Sequence, residues 1–425
     1  MNSRRSSPKS RVLTLAEACL WALLWVPPLV LSPSRADAFD LPKRLVSEGL
    51  ALLSLLLLAW SLRRVDRFEW RAMVARPVVR AVGPLLLVAS LGALVTAHRE
   101  HVAQALPSLW IGAAALVGWS LGLGTARLRR LLDLSVLPAA LIGALAILQF
   151  HGFQPLAFVG GEQGARLGLT SLAGNAGVLA NYLVIPALIA QEWGWRRRQK
   201  LLHLVLAGAL ALVCLYAIAV TQTVAALAAV VVGSALLWLG LLPRRRALAG
   251  LAAAALLLAT AVAVGTPLRQ RVAKKAAELT SGEWNKALAG RLDGWRAAAW
   301  MVGEKPFTGV GHGAYSAQFI AAKGELAESG VPFFAGQERV MFVNAHNELL
   351  EVAAELGWPG LGALLWGIWV LVRRLRTMPS DGRALAVASV IALAVLASAH
   401  FPFRVALSAY PALILLAWIF SEERS

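Results

Sequence analysis

The chain has 425 residues, 58% of them hydrophobic and only 15% charged, with a formal net charge of +18. Soluble domains carry about 25% charged residues, so this composition excludes an ordinary soluble enzyme and points to a polytopic membrane protein. The positive excess does not make a nucleic-acid surface, because Lys and Arg fall in short clusters between apolar runs with few aromatic residues among them.

Crossing the hydrocarbon core takes about 20 mostly apolar residues in a helix. Such stretches run at 13–32, 45–62, 78–97, 104–124, 131–150, 172–192, 201–219, 221–241, 247–266, 346–372, 384–399 and 405–421. The expected fold is therefore an all-α polytopic membrane protein of about twelve transmembrane helices. Residues 1–266 carry spans one to nine, 267–345 form a large, partly helical external loop, and 346–425 carry spans ten to twelve. Basic clusters at 4–11, 63–80, 127–130, 196–200, 244–246 and 373–383 alternate with short loops poor in Lys and Arg. This asymmetry follows the positive-inside rule and puts both termini in the cytoplasm and the long loop outside. The apolar run before Ala36-Asp37-Ala38 also has the form of a signal peptide; a retained helix is favoured, and cleavage leaves the later topology unchanged. Cys19 and Cys214 both lie inside apolar runs, which leaves no disulfide framework or cysteine metal cluster.

The external loop is longer than the about 12–15 residues of a structureless connector. Residues 269–279 read as a basic amphipathic helix lying on lipid headgroups. Residues 283–301 read as a second helix, with Trp284, Leu288, Leu292, Trp295 and Ala299 recurring at spacings of three or four. Pro306 ends it, Gly309, Gly311 and Gly313 make the following turn, 314–322 is a short third helix, and 325–343 returns as loop.

His346 stands at the N-terminal end of the tenth span, where a helix leaves backbone N–H groups unpaired and a positive dipole end. Asn344 or Asn347 is placed to cap it. Glu348, Glu351 and Glu355 follow at i, i+3 and i+7 on one face. Carboxylates at membrane depth are costly and face a polar cavity or a partner. Two readings stay open: a histidine base oriented by a carboxylate or asparagine, or an interfacial histidine beside a polar helix entry. Arg291 offers a planar, always-charged fork suited to phosphate, or is a solvated charge. The Gly309-Val-Gly311-His312-Gly313 turn lacks both the preceding strand and the following Lys-Ser/Thr of a nucleotide loop, which favours a packed backbone turn. Arg166, Asn175, Asn181 and Tyr182 either line the same external cavity or hydrogen-bond between helices. Arg269, Arg271 and Arg404 are further cations near the outer surface. Arg404, in His400-Phe-Pro-Phe-Arg404, either reaches an anionic ligand or anchors the interface. Asp37 and Asp40 alone are too little for a metal site, and no other spacing of His, Cys, Asp and Glu makes one.

The pattern Arg291…Trp295…Pro306-x-x-Gly309-x-Gly311, followed by His346-Asn347-x-x-Leu350-x-x-x-x-Glu355-x-Gly357-x-x-Gly360, resembles the bacterial O-antigen ligase and O-antigen polymerase superfamily. Gly174-Asn175 and Asn181-Tyr182 resemble that family's central asparagine-containing span. The resemblance implies glycan transfer on the periplasmic face of the bacterial inner membrane, without a metal cofactor. The donor would be a glycan on undecaprenyl pyrophosphate, and the acceptor lipid A-core or another lipid-linked glycan. His346 would activate the acceptor hydroxyl, Arg291 would grip the pyrophosphate, and Asn347 and Glu355 would support them. Asn344 and Glu351, with Arg166, Asn175, Asn181, Arg269, Arg271 and Arg404, complete the candidate substrate-binding set. The apolar spans would hold the prenyl tail. One position departs from the family: Val224 in Thr221-Gln222-Thr223-Val224 stands where a second pyrophosphate arginine is usual. Two alternatives remain, an O-antigen or exopolysaccharide polymerase of the same superfamily and a twelve-span secondary transporter. Against the transporter stand the lack of an internal repeat and the gathering of polar residues on the outer side.

Overall fold

A computed structural model describes residues 8–32, 37–62, 70–154, 170–250, 252, 266–331 and 341–422. A backbone in lipid must satisfy its own polar groups, and the long apolar runs accordingly wind into helices; every regular element among the described residues is helical. They are α1 (Pro8–Leu29), α2 (Asp40–Leu62), the short α3 (Trp70–Ala75), α4 (Pro77–Val95), α5 (Arg99–Gly122), α6 (Thr125–Phe150), α7 (Ala176–Arg196), α8 (Leu201–Thr221) and α9 (Val224–Leu241). After them come α10 (Thr266–Thr280), α11 (Trp284–Ala287), α12 (Arg291–Glu304), α13 (Tyr315–Glu328), α14 (Glu348–Thr377), α15 (Ser380–Ala397) and α16 (Ala406–Phe420).

Nine helices among the described residues are long and apolar enough to cross a membrane, against the twelve expected. The difference has physical reasons. At the place of the sixth span, α7 carries Asn181, Tyr182, Gln191 and Glu192 and is buried nearly throughout. At the twelfth, α16 has only 15 residues. The ninth stretch, 247–266, lies almost wholly outside the described residues.

At the centre of the bundle stands α7, with Leu179, Leu183, Val184, Leu188 and Ile189 fully buried. Lipid offers no hydrophobic drive for helix association, so close packing at small residues holds the bundle. At Gly143 a Cβ would meet Ala217 at 3.3 Å and at Gly233 it would meet the Leu188 side chain at 2.8 Å, so both crossings are close. At the end where α7 finishes, basic residues that the sequence marks as topology signals also form an ion-pair collar. Arg127 pairs with Glu17, Arg129 with Asp133 and Glu192, and Arg196 with Asp133 and Glu192. The collar ties α1, α6 and α7 together, and the Arg129 guanidinium lies 5.1 Å from the Trp418 ring of α16.

At the opposite end α10 to α13 form a cap. The single helix expected over 283–301 is broken, because Ala289 (φ 57°) and Gly290 (φ 80°) are left-handed. The break resets the helical phase. Trp284 and Ala299 are exposed, and α12 buries Asp293, Gly294, Ala297, Ala298 and Met301 instead. This small-residue face packs with Val310, Tyr315, Phe319, Ala345 and Ala354. The third helix, α13, runs on to Glu328, well past the expected 314–322.

The glycine turn explains how the cap is seated. Pro359 has no N–H, so in a regular helix the Glu355 carbonyl would lack a donor. Instead α14 breaks at Gly357 (φ 65°, ψ −168°). Gly311 N donates to Glu355 O at 2.8 Å, Val310 N to Ala354 O at 3.0 Å, and Trp358 N to Pro306 O at 2.7 Å. The donors of the turn thus serve a helix break, in line with the packed-turn reading. Gly309 (φ 63°) lies so close that a Cβ would run into the Glu355 carbonyl. Gly309→Ala is expected to lower stability by at least the about 1–3 kcal/mol of a strained left-handed backbone. Thermal unfolding in detergent reads this out, with Gly324→Ala in open space on α13 as the control.

Candidate functional site

The head of α14 is built by two asparagines with different tasks. Asn347 is the N-cap: its Oδ1 accepts from Leu350 N at 3.1 Å, and its Nδ2 donates to Ser398 O at 3.1 Å. Asn344 donates instead to Glu351 Oε1 at 2.7 Å, while Ala345 N donates to Glu351 Oε2 at 2.9 Å. Held between these two anchors, His346 adopts φ 54°. A left-handed non-glycine residue of this kind is sparse in proteins and clusters at functional sites.

The His346 ring is framed by Phe401 at 4.9 Å and by Phe342 and His400 at 5.9 Å between centroids. Its Nδ1 is buried and has no hydrogen-bond partner among the described residues. Burial, and after it the charge of Arg291, push the imidazole down to about 4. The ring is therefore neutral at ordinary pH. Arg291, the first residue of α12, donates from Nη2 to His400 Nε2 at 3.2 Å. Arg291, His346 and His400 thus meet from three separate segments.

Beside them the three glutamates share one face, as their spacing predicts, and turn to Arg404 rather than to His346. Arg404 donates to Glu355 through Nη1 at 3.1 Å and Nη2 at 2.6 Å. It also lies 3.5 Å from Glu351 and 4.0 Å from Glu348. His312 Nδ1 stands 3.1 Å from Glu355 Oε2, and Phe403 N donates to Glu348 Oε1 at 3.1 Å. Glu351 and Glu355 are 0% and 1% exposed, so Arg404 is their internal counter-charge.

Asn175 caps α7, accepting from Val178 N at 2.8 Å. Two residues on, Gly177 presents bare backbone to the His400 ring, whose Cε1 lies 3.5 Å from where a Cβ would stand. Asn181, one turn further along the same face, is 6% exposed and its Oδ1 has no partner among the described residues. Arg269 is exposed on α10 and makes no ion pair with the cluster. The backbone of Arg271 belongs to α10, and Arg166 falls outside the described residues. Val224 opens α9 two residues after left-handed Gln222 and is 62% exposed. A cleft of 670 Å³ lies between α10 and α11, lined by Lys274, Lys275, Glu278 and Lys286. Lys275 pairs there with Glu278 at 2.8 Å and Lys286 with Glu283, and the His346 cluster does not line it. The Asp37 carboxylate accepts from the N–H groups of Phe39, Asp40 and Leu41, which makes it the cap of α2.

Sequence reasoning passed over His400 as a contact of Arg291 and His312 as a contact of Glu355. Nothing in the spacing marks either, since both partners are remote in sequence.

A comparison with curated proteins finds no match. The family model described as O-antigen ligase matches residues 209–365, from within α8 to the middle of α14. That interval includes Arg291, the glycine turn, His346 and the three glutamates, while His400 and Arg404 lie beyond it. Over that segment, which carries Arg291, the glycine turn and His346, the chain is similar to the O-antigen ligase family, and its long apolar helices are those of a multi-pass membrane protein.

Proposed function

We propose that the chain is a glycosyltransferase on the periplasmic face of the bacterial inner membrane. It moves a glycan from undecaprenyl pyrophosphate to a sugar hydroxyl, on lipid A-core in the O-antigen ligase reading. The observation that carries this is the meeting of Arg291 and His346 around His400, at the capped end of the bundle. In the reaction the acceptor hydroxyl bonds to the anomeric carbon as the bond from that carbon to the pyrophosphate oxygen breaks. The hydroxyl proton passes to the His346 imidazole and on to solvent. The leaving pyrophosphate takes the electron pair, and Arg291 offsets its charge in a water-poor setting where such donors act most strongly.

A base near pKa 4 is weak. It suffices here because the leaving group is already good, and the attacking hydroxyl becomes acidic only as its oxygen bonds to carbon. The pH dependence follows with a definite sign. The working form of His346 is neutral, and its pKa is lowered to about 4. Activity is then full above that value and falls as pH drops through it. Initial rates of prenyl pyrophosphate release are expected to show no acid limb near the ordinary histidine value of about 6.5. A limb there would contradict the assignment of His346 as the buried base.

The same chemistry serves a polymerase that uses another lipid-linked glycan as acceptor. Deleting the gene and resolving lipopolysaccharide on a gel separates the cases. Loss of all glycan from lipid A-core marks a ligase, and a single-repeat cap marks a polymerase. Unchanged lipopolysaccharide with lost exopolysaccharide marks an exopolysaccharide polymerase. If every surface glycan stays intact, the proposal fails.

A further inference from the structure

We propose that His400 is a positioning residue, fixing the Arg291 guanidinium in the direction from which it meets the donor pyrophosphate. The inference rests on the transferase reading above and adds a residue that lies beyond the family-matched segment.

Arg291 begins α12 directly after the left-handed Ala289-Gly290 break, on a long side chain with many rotamers. Holding such a group in one orientation costs conformational entropy unless a rigid neighbour supplies the constraint. His400 is one such neighbour. Its Nε2 accepts from Arg291 Nη2 at 3.2 Å, so at this contact the imidazole nitrogen carries a lone pair rather than a proton. A neutral acceptor sets the direction of the planar fork without cancelling its charge, whereas a carboxylate would do both.

His400 is itself held from two sides and is only 6% exposed. Its segment is fastened to the head of α14 before and after the histidine. Asn347 Nδ2 bonds Ser398 O at 3.1 Å, Phe403 N bonds Glu348 Oε1 at 3.1 Å, and Arg404 sits among the glutamates. On the other side the ring faces Gly177 of α7, where an added Cβ would lie 3.5 Å from its Cε1. The element that presents His346 thereby also sets the ring that aims Arg291. Base and phosphate contact are registered to one another through His400.

Binding of undecaprenyl pyrophosphate to the detergent-purified full chain tests this. His400→Phe keeps a ring and removes the acceptor; it is expected to weaken binding about tenfold, the scale of one charge-assisted hydrogen bond. His400→Gln, whose carboxamide oxygen can accept, is expected to restore binding to within about threefold of wild type. Arg291→Ala weakens binding at least as much, and adding His400→Phe to it costs nothing further, because the histidine acts through the arginine. A merely structural role would leave the double variant additive and the glutamine variant unrescued. Should His400→Phe fail to purify, His400→Leu serves the same comparison. Wild-type binding by His400→Phe, additivity, or failure of His400→Gln to restore binding would each overturn the inference. If Arg291→Ala itself binds like wild type, the pyrophosphate reading of the site falls. If Arg291→Ala loses binding and His400→Phe does not, only the positioning role falls.

Discussion

Arg404→Ala is expected to cost the folded state about 3–5 kcal/mol, the range for breaking a buried ion pair by removing one partner. Three carboxyl groups on one face of α14 turn to this single guanidinium, and two of them are essentially inaccessible to water. Without Arg404, Glu355 keeps, among the described residues, His312 at 3.1 Å. Glu351 likewise keeps the donors of Asn344 and Ala345. The loss also removes one of the ties between the 398–404 segment and the head of α14, leaving those of Ser398 to Asn347 and of Phe403 to Glu348. A much lower thermal midpoint in detergent, or failure to recover monodisperse protein, is the expected result. Arg404→Lys should fall between the two, since an ammonium is a point charge and cannot donate two parallel bonds to Glu355 while facing Glu351. A midpoint unchanged in Arg404→Ala would show that the cluster is not held by this charge.

This destination of Arg404 shows what was legible in the sequence and what was not. The glutamates' shared face follows from helical periodicity, and they do share one. Their common partner does not follow, because it lies across two helix ends in the folded chain. The capping of α14 was legible as a choice between Asn344 and Asn347, and the folded chain assigns the cap to Asn347 and a carboxylate contact to Asn344. The break at Ala289-Gly290 carried one sequence signal, Gly290, but the alanine before it carries none for left-handed backbone, so the apolar spacing read through both. Pro359 and the glycine turn were both visible as letters. Their relation, one supplying the N–H that the other removes, exists only in contact. The ion-pair collar looked like a topology signal because the positive-inside rule reads charge and not partners. His400 stayed hidden for the same reason as Arg404: a lone histidine at a membrane turn is indistinguishable from an interfacial one until its neighbours are in place.

The largest expected effect is on chemistry. His346→Asn should lower glycan transfer by about 10²–10⁴-fold, the range for loss of a general base. Asparagine is a better probe than alanine, because it tolerates the left-handed backbone that this position adopts and so leaves the head of α14 undisturbed. Arg291→Ala should lower transfer by about 10²–10³-fold, the scale for removing one donor to developing charge. The two should differ in kind. Arg291 meets the pyrophosphate in the bound donor as well as in the transition state, so its loss should raise KM for the donor and lower kcat. His346 acts only as the hydroxyl attacks, so its loss should fall on kcat with KM little changed. Val224, exposed at the α8–α9 turn where the family that the sequence resembles usually has a second arginine, makes the Arg291 effect the sharper test. With no arginine at that position to share the charge, the Arg291 loss should lie at the upper end of its range. Near-normal transfer in both variants, at normal protein level, would leave the cluster at the capped end of the bundle without a chemical role.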